Sequence, residues 1–92
     1  MTGNNGKDSD LFNFPCDFPI KIIGNAQDGF EQEILTIARK HYPELADEAI
    51  AVKLSKEGNY IAISVTVFAQ SQAALDALYA DLVKHPNTKM VL

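Results

Sequence analysis

The stretch 55–69 constrains the fold of this chain more than any other: Ser-Lys-Glu-Gly-Asn-Tyr, then Ile-Ala-Ile-Ser-Val-Thr-Val-Phe-Ala. Ile61, Ile63, Val65 and Val67 alternate with Tyr60, Ala62, Ser64, Thr66 and Phe68. A period of two with β-branched residues on one side marks a strand with one buried face. The Gly58-Asn59 pair before it predicts a hairpin, because both residues tolerate positive φ. The segment preceding the turn alternates as well, with Ile50, Val52 and Leu54 on one side and Ala51 and Lys53 on the other. Two such strands expose an apolar face that another layer must cover.

The rest of the chain supplies that layer and completes the sheet. A first strand is predicted over 18–24, with Ile20 and Ile22 on one face and Lys21 and Ile23 on the other; Pro19, lacking an amide hydrogen, fits at the strand's start. Asp28 and Glu31 then have the spacing of a capping box, which predicts a helix start. Phe30, Ile34, Ile37, Ala38 and His41 follow at helical spacing, and Pro43 prevents continuation. Residues 44–48 form an acidic connection that can hold a short helical turn. Ser71 is placed to cap a second helix over 72–84, whose stripe is Leu75, Leu78, Tyr79 and Leu82. Lys84 and His85 close it, Pro86 stops it, and 88–92 form a short last strand.

The order strand, helix, strand, strand, helix, strand with right-handed crossovers is that of an α+β ferredoxin-like βαββαβ sandwich. Four antiparallel strands in order 4-1-3-2 then carry both helices on one face. Ninety-two residues allow one domain and one modest core. Residues 1–10, polar and rich in Gly and Asn, are expected to be a disordered tail, and 11–92 to be the domain. Leu11, Phe12 and Phe14 form an apolar lead-in expected to dock on the core.

Composition narrows the function classes. A net charge of −4 and a pI near 4.9 argue against charge-driven nucleic-acid binding. No apolar run approaches the roughly 20 residues of a membrane helix, and the N-terminus lacks a signal-peptide core. One cysteine, Cys16, agrees with a reducing compartment, so a cytoplasmic protein is expected. Cys16, His41 and His85 stand at no metal-ligand spacing, and no metal or cofactor is expected. Both histidines fall at helix C-termini, where partial positive charge is favourable. The acidic clusters suit helix starts and solvation better than a carboxylate pair for catalysis. An enzyme is not expected.

The architecture leaves one sheet face bare. Alternation assigns Ile20, Ile22, Met90 and Leu92 to the helix side with the apolar sets above. The open face is then expected to carry Lys21, Ile23, Ala51, Lys53, Tyr60, Ala62, Ser64, Thr66, Phe68, Lys89 and Val91. Exposed charge is the ordinary state of lysine, so a solvated face that discourages aggregation accounts for the pattern. The sharper reading is a docking surface for an acidic partner, a second copy of the chain or an anionic small molecule. A second candidate is the loop 24–30, with Gly24, Asn25, Asp28 and Gly29, which joins a strand to a helix N-terminus where free amides can meet a carboxylate or phosphate. A tight turn with a capping Asp accounts for the same residues.

Three pieces in order resemble the YbeD-like family of small bacterial proteins. They are Phe14-Pro15 with Phe18, Lys21 and Gly24; Val52-Lys53 followed by Lys56, Glu57, Gly58, Asn59 and Tyr60; and the terminal Met90-Val91-Leu92. The resemblance spans about 12–92 and implies a ferredoxin-like fold close to the ACT regulatory domains, with no established activity and a hint of lipoate metabolism. The loop 24–30 is similar to the ligand-binding loop of ACT domains, though Asp28 runs directly into Gly29 without the usual proline. RNA-recognition motifs share the topology but stack bases on aromatics of both central strands. Here only Tyr60 and Phe68, on the third strand, are available. Together these readings predict a non-enzymatic, ACT-like regulatory or protein-interaction module. The alternative is a sensor that binds an amino-acid-like or carboxylate metabolite at a dimer interface, with Lys21 and the loop amides holding the anion.

Overall fold

The computed structural model describes residues 14–92, so the tail and the expected docking of Leu11 and Phe12 lie outside the described residues. The elements are β1 (Cys16–Asn25), α1 (Phe30–His41), a 3₁₀ turn (Asp47–Ala49), β2 (Ile50–Leu54), β3 (Tyr60–Ala69), α2 (Gln72–Lys84) and β4 (Thr88–Val91). The sheet runs β2-β3-β1-β4, all neighbours antiparallel, which is the expected ferredoxin-like order. β1 and β3 pair over their full lengths, from Cys16 opposite Ala69 to Asn25 opposite Tyr60.

On β1 and β3 the core forms where the alternation says it should, while Val52 and Leu54 of β2 stay exposed on the helix side. Ile20 and Ile22 of β1 and Ile61, Ile63, Val65 and Val67 of β3 are buried under the helices. Phe30, Ile34 and Ala38 of α1 and Leu75, Leu78 and Leu82 of α2 complete it. Each of the larger side chains contributes roughly 1.5–3 kcal/mol through removal of apolar surface from water. Ser71 caps α2 as expected, its Oγ accepting from the Ala74 amide at 3.2 Å. Two histidine–carboxylate pairs tie the helices together: His41 Nε2 donates to Asp81 Oδ2, and His85 Nε2 to Glu33 Oε1, each at 2.6 Å.

Four local expectations are corrected. First, Asp28 does not cap α1: the N-cap is Gly29 at φ 85°, with no side-chain cap bond. The helix starts one residue too late for the Asp28–Glu31 spacing to close a box. Second, in the turn before β3 only Gly58 takes positive φ, at 76°; no non-glycine residue among those described does. Gly58 donates to the Ser55 carbonyl at 2.9 Å, and Ser55 Oγ accepts from the Tyr60 amide, so five residues rather than two join the strands. Third, Pro19 sits inside β1, opposite Thr66. The Lys21 amide points toward β4, bonding Leu92, so two residues earlier Pro19's nitrogen points to the same side, past the last pair with β4. No ladder bond is lost there.

The fourth correction concerns β4. Val91 lies opposite Ile22 and Met90 opposite Ile23, and a register shift follows before Thr88 meets Gly24. Val91 therefore packs against the core, while Met90 and Leu92 point to the open face. Lys89 is the extra residue of the bulge. The four-residue strand is too short for its own pattern to reveal which face is inside.

Gly24 lies where β1 passes beneath the start of α1. A Cβ there would meet Phe30 Cζ at 2.4 Å and the Asn87 carbonyl oxygen at 2.5 Å. The Asn87 backbone cannot yield without breaking its bond to the Asn25 amide, 2.9 Å long. Gly24→Ala is expected to lower stability by about 1–3 kcal/mol through overpacking, read as a reduced midpoint in urea unfolding at unchanged slope.

Candidate functional site

The open face is built from rows that cross the sheet. One row runs Ala51, Ser64, Lys21, Leu92, and the next Lys53, Ala62, Ile23, Met90. Lys21 thus stands on a central strand and Lys53 on an edge, two strands and one row apart, roughly 12 Å at the backbone. Both are exposed. With Tyr60, Ile23 and Ala62 they line a shallow depression of about 210 Å³. Ser64 lies beside it, half-buried between Lys21 and Ala51. Lys53, Tyr60, Lys21 and Ser64 are therefore brought together, whereas Lys89 in the β4 bulge is not aligned with them.

Apolar side chains surround these lysines. Tyr60 is 48% exposed, Phe68 55%, Met90 49% and Leu92 60%. Met90 and Leu92 belong to this surface only because the bulge reverses the face of β4. Toward the other end Thr66 is exposed opposite Pro19, and Asp17 lies opposite Phe68. A hollow of about 610 Å³ there is bordered by Asp17, Thr66, Phe68, Tyr42 and Gln70. The Tyr42 hydroxyl is buried without a hydrogen-bond partner among the described residues, and burial pushes its pKa up.

The loop 24–30 has a different character. Four of its amides are already used within the protein: Asn25 N–H donates to the Asn87 carbonyl, Ala26 N–H to Asn59, Gln27 N–H to Asn25 and Phe30 N–H to Gln27, all within 3.0 Å. Asn25 Nδ2 adds a bond of 3.4 Å to Asn87 Oδ1. The close backbone approach that Gly24 permits is taken by Phe30 and Asn87, not left for a ligand. Asp28 and Gly29 are exposed at the helix entrance.

The histidine partners were not visible in the sequence, since Glu33 and Asp81 are distant from them along the chain. His85 Nδ1 accepts from the Asn87 amide at 3.1 Å, and an amide can only donate, so the ring hydrogen sits on Nε2 facing Glu33. The His85 ring also meets Phe30 edge-on, with centroids 5.0 Å apart. Through this contact the pair braces the residue that covers Gly24.

At Asp81 the hydrogen bond from His41 holds the carboxyl below the usual carboxylate range, and the charges of His41, Lys84 and Lys40 add to it. A carboxylate whose folded pKa is depressed stabilises the fold above its unfolded pKa, and that contribution is lost as pH falls through the folded value. His41→Ala is expected to raise the Asp81 pKa toward the ordinary range, so that the variant is less stable than the parent at about pH 6 and the difference closes as pH falls. Carboxyl ¹³C titration by NMR checks the first effect and thermal unfolding between pH 2 and 6, the range about the ordinary carboxylate pKa, the second.

Comparison with known proteins agrees with the architecture. A family model described as "Protein of unknown function (DUF493)" matches residues 9–92. A UPF0250 protein of Nitrosomonas europaea is 42% identical over 82 residues, 89% of this chain and 94% of that protein. One from Neisseria meningitidis is 38% identical over 92 residues, covering both chains completely. Among solved structures, the ACT domain from the GTP pyrophosphokinase of Chlorobium tepidum matches with a TM-score of 0.67 at 19% identity, over 83% of this chain and 96% of that one. Protein HP0495 of H. pylori matches with a TM-score of 0.65 at 11% identity, over 91% and 92%. At these identities the structural likeness concerns the fold, which is ACT-like.

Proposed function

Since the chain belongs to the DUF493 family of proteins of unknown function, we propose its role from the surface its fold leaves bare: a non-enzymatic, ACT-like regulatory module that docks a protein partner on the open sheet face. The observation that carries this reading is the half-exposed apolar set Tyr60, Met90 and Leu92 interleaved with Lys21 and Lys53, with Phe68 farther along the same face. Contiguous exposed apolar side chains with charges among them are characteristic of interaction surfaces. The lysines select an acidic partner and speed its approach, while the apolar residues supply burial. The fold occurs as one domain of a GTP pyrophosphokinase, which supports a module that acts on another protein rather than on a substrate.

A second reading rests on the depression between Lys21, Lys53 and Tyr60. Two ammonium groups, with the Ser64 hydroxyl near them, suit a small carboxylate-bearing metabolite. The occupied amides of Asn25, Ala26 and Gln27 favour this position over the loop 24–30 for such an anion.

Pull-down with the protein from its source cell tests the first reading. The double variant Lys21→Glu, Lys53→Glu is expected to lose an acidic partner, while Lys89→Glu, in the bulge, retains it. Equal retention by both variants removes the open face as the docking surface. A thermal-shift screen of carboxylate metabolites tests the second: a stabilising hit is expected to vanish in Lys21→Ala. A hit indifferent to Lys21 lies elsewhere.

A further inference from the structure

The two edges of the sheet are unlike. β4 carries the devices that keep an edge from pairing: it is four residues long, bulged, and has Lys89 at the bulge. β2 is regular over five residues and, among the described residues, has a neighbour only in β3. The Ser55 amide donates inward to the Tyr60 carbonyl. By the period of two, Lys53 and Ala51 also direct their amides inward, and Ile50, Val52 and Leu54 direct theirs away from the sheet. The side chains of that outward set point to the helix side, where Ile50 packs against the core but its two neighbours do not. Val52 is 40% exposed and Leu54 57%, although their β3 partners Ile63 and Ile61 are buried.

We propose that β2 is a self-association edge, where two copies of the chain pair β2 with β2 antiparallel about a two-fold axis at Val52. Both outward bonds of Val52 are then exchanged with Val52 of the second copy, and Leu54 lies opposite Ile50. This register puts Lys53 opposite Ala51, so the edge lysine meets no like charge; an axis at Lys53 would set two lysines face to face. An antiparallel edge also brings the hairpin of one copy, with Lys56, beside the acidic 3₁₀ turn of the other, where Glu48 is exposed. No like charges meet across the paired positions 50–54 in this orientation, and Asp47, beside Glu57, is already paired to Arg39, which favours a second copy over an unrelated strand as the occupant. The interface is small, and a contact below roughly 1,200 Å² belongs to the weak, reversible class. The open face stays free, because pairing uses only the edge and the helix-side residues next to it.

Sedimentation velocity from about 10 μM to about 1 mM is expected to show a reversible monomer–dimer equilibrium. Val52→Glu and Val52→Lys each place like charges opposite each other at the axis and are expected to weaken association about tenfold or more. Mixed in equal amounts, the two variants are expected to associate again, since each Glu then meets a Lys. Val52→Pro removes an outward amide and no ladder bond within the chain, and is expected to give a folded monomer by circular dichroism. The glutamate and lysine variants decide the matter if the proline variant fails to fold. Lys21→Glu, on the open face, is expected to leave the equilibrium unchanged, which separates this edge from the docking surface above. A chain that stays monomeric at the highest concentration, or a dimer indifferent to both charged variants at Val52, overturns the proposal. So does a dimer abolished by each charge and not recovered on mixing.

Discussion

Ten residues of β1 paired with ten of β3 set the geometry that everything else in this protein follows. Both strands are central, so each directs one set of side chains into the core and the other into a face without helices. A shift of β1 by one residue against β3 would exchange Ile20 and Ile22 for Lys21 and Ile23 at the centre of the core. Burying a lysine there without a partner costs several kcal/mol. Register is therefore enforced by the core itself, and Lys21 and Ser64 meet on the open face as a consequence of it. The end of the same ladder determines how α1 enters. Asn25 donates to Asn87, Gly24 leaves room for Phe30, and His85 holds the Phe30 ring from its edge. One short region thus joins β1, both helices and the approach to β4.

Features with strong periodicity were legible from residues alone. The alternation of β3 and the Leu75, Leu78, Leu82 stripe of α2 predicted burial correctly because each element is long enough for its period to be unambiguous. With two such elements and their neighbours in order, chain connectivity left one sensible topology. What the residues did not reveal depends on single backbone angles or on one inserted residue. The Asp28–Glu31 spacing fits a capping box, but Gly29 in a left-handed conformation ends the loop one position later. At β4 the bulge at Lys89 reverses which residues face the core, and Met90-Val91-Leu92 is apolar throughout, so composition is silent on the choice. That reversal matters for the candidate site: it takes Lys89 out of line with the other lysines and exchanges Val91 for Met90 and Leu92 on the open face. The surface is more apolar than alternation alone implied.

The open face and the β2 edge make different demands on the same strand, and the pleat allows both. Lys53 directs its side chain to the open face while its amide bonds Ala62 within the sheet. Val52 and Leu54 direct their amides outward and their side chains to the opposite side. An apolar residue at position 53 would strengthen the open face as a sticky surface but leave β2 without a charge on either side. A charge at 52 would protect the edge from pairing. The observed arrangement protects the face and leaves the edge available.

Joining two copies at β2 would extend the sheet to eight strands and set the two open faces side by side. Each depression bounded by Lys21, Lys53 and Tyr60 lies next to the edge, because Lys53 is on β2 itself. The lysines of both copies would then border one surface, with roughly twice the charge and apolar area of a single face. Attraction for an acidic partner rises with the local potential of such a surface. A partner able to span both faces gains from the effective concentration of the second site, without any new contact type. By linkage, a ligand that prefers the paired state strengthens the pairing by the same factor that pairing strengthens its binding. A weak edge is therefore suited to regulation in a way a permanent one is not. Its population changes most when its own stability is close to that of the separated chains, as expected for two short strands held by a few apolar side chains and the outward bonds at Val52.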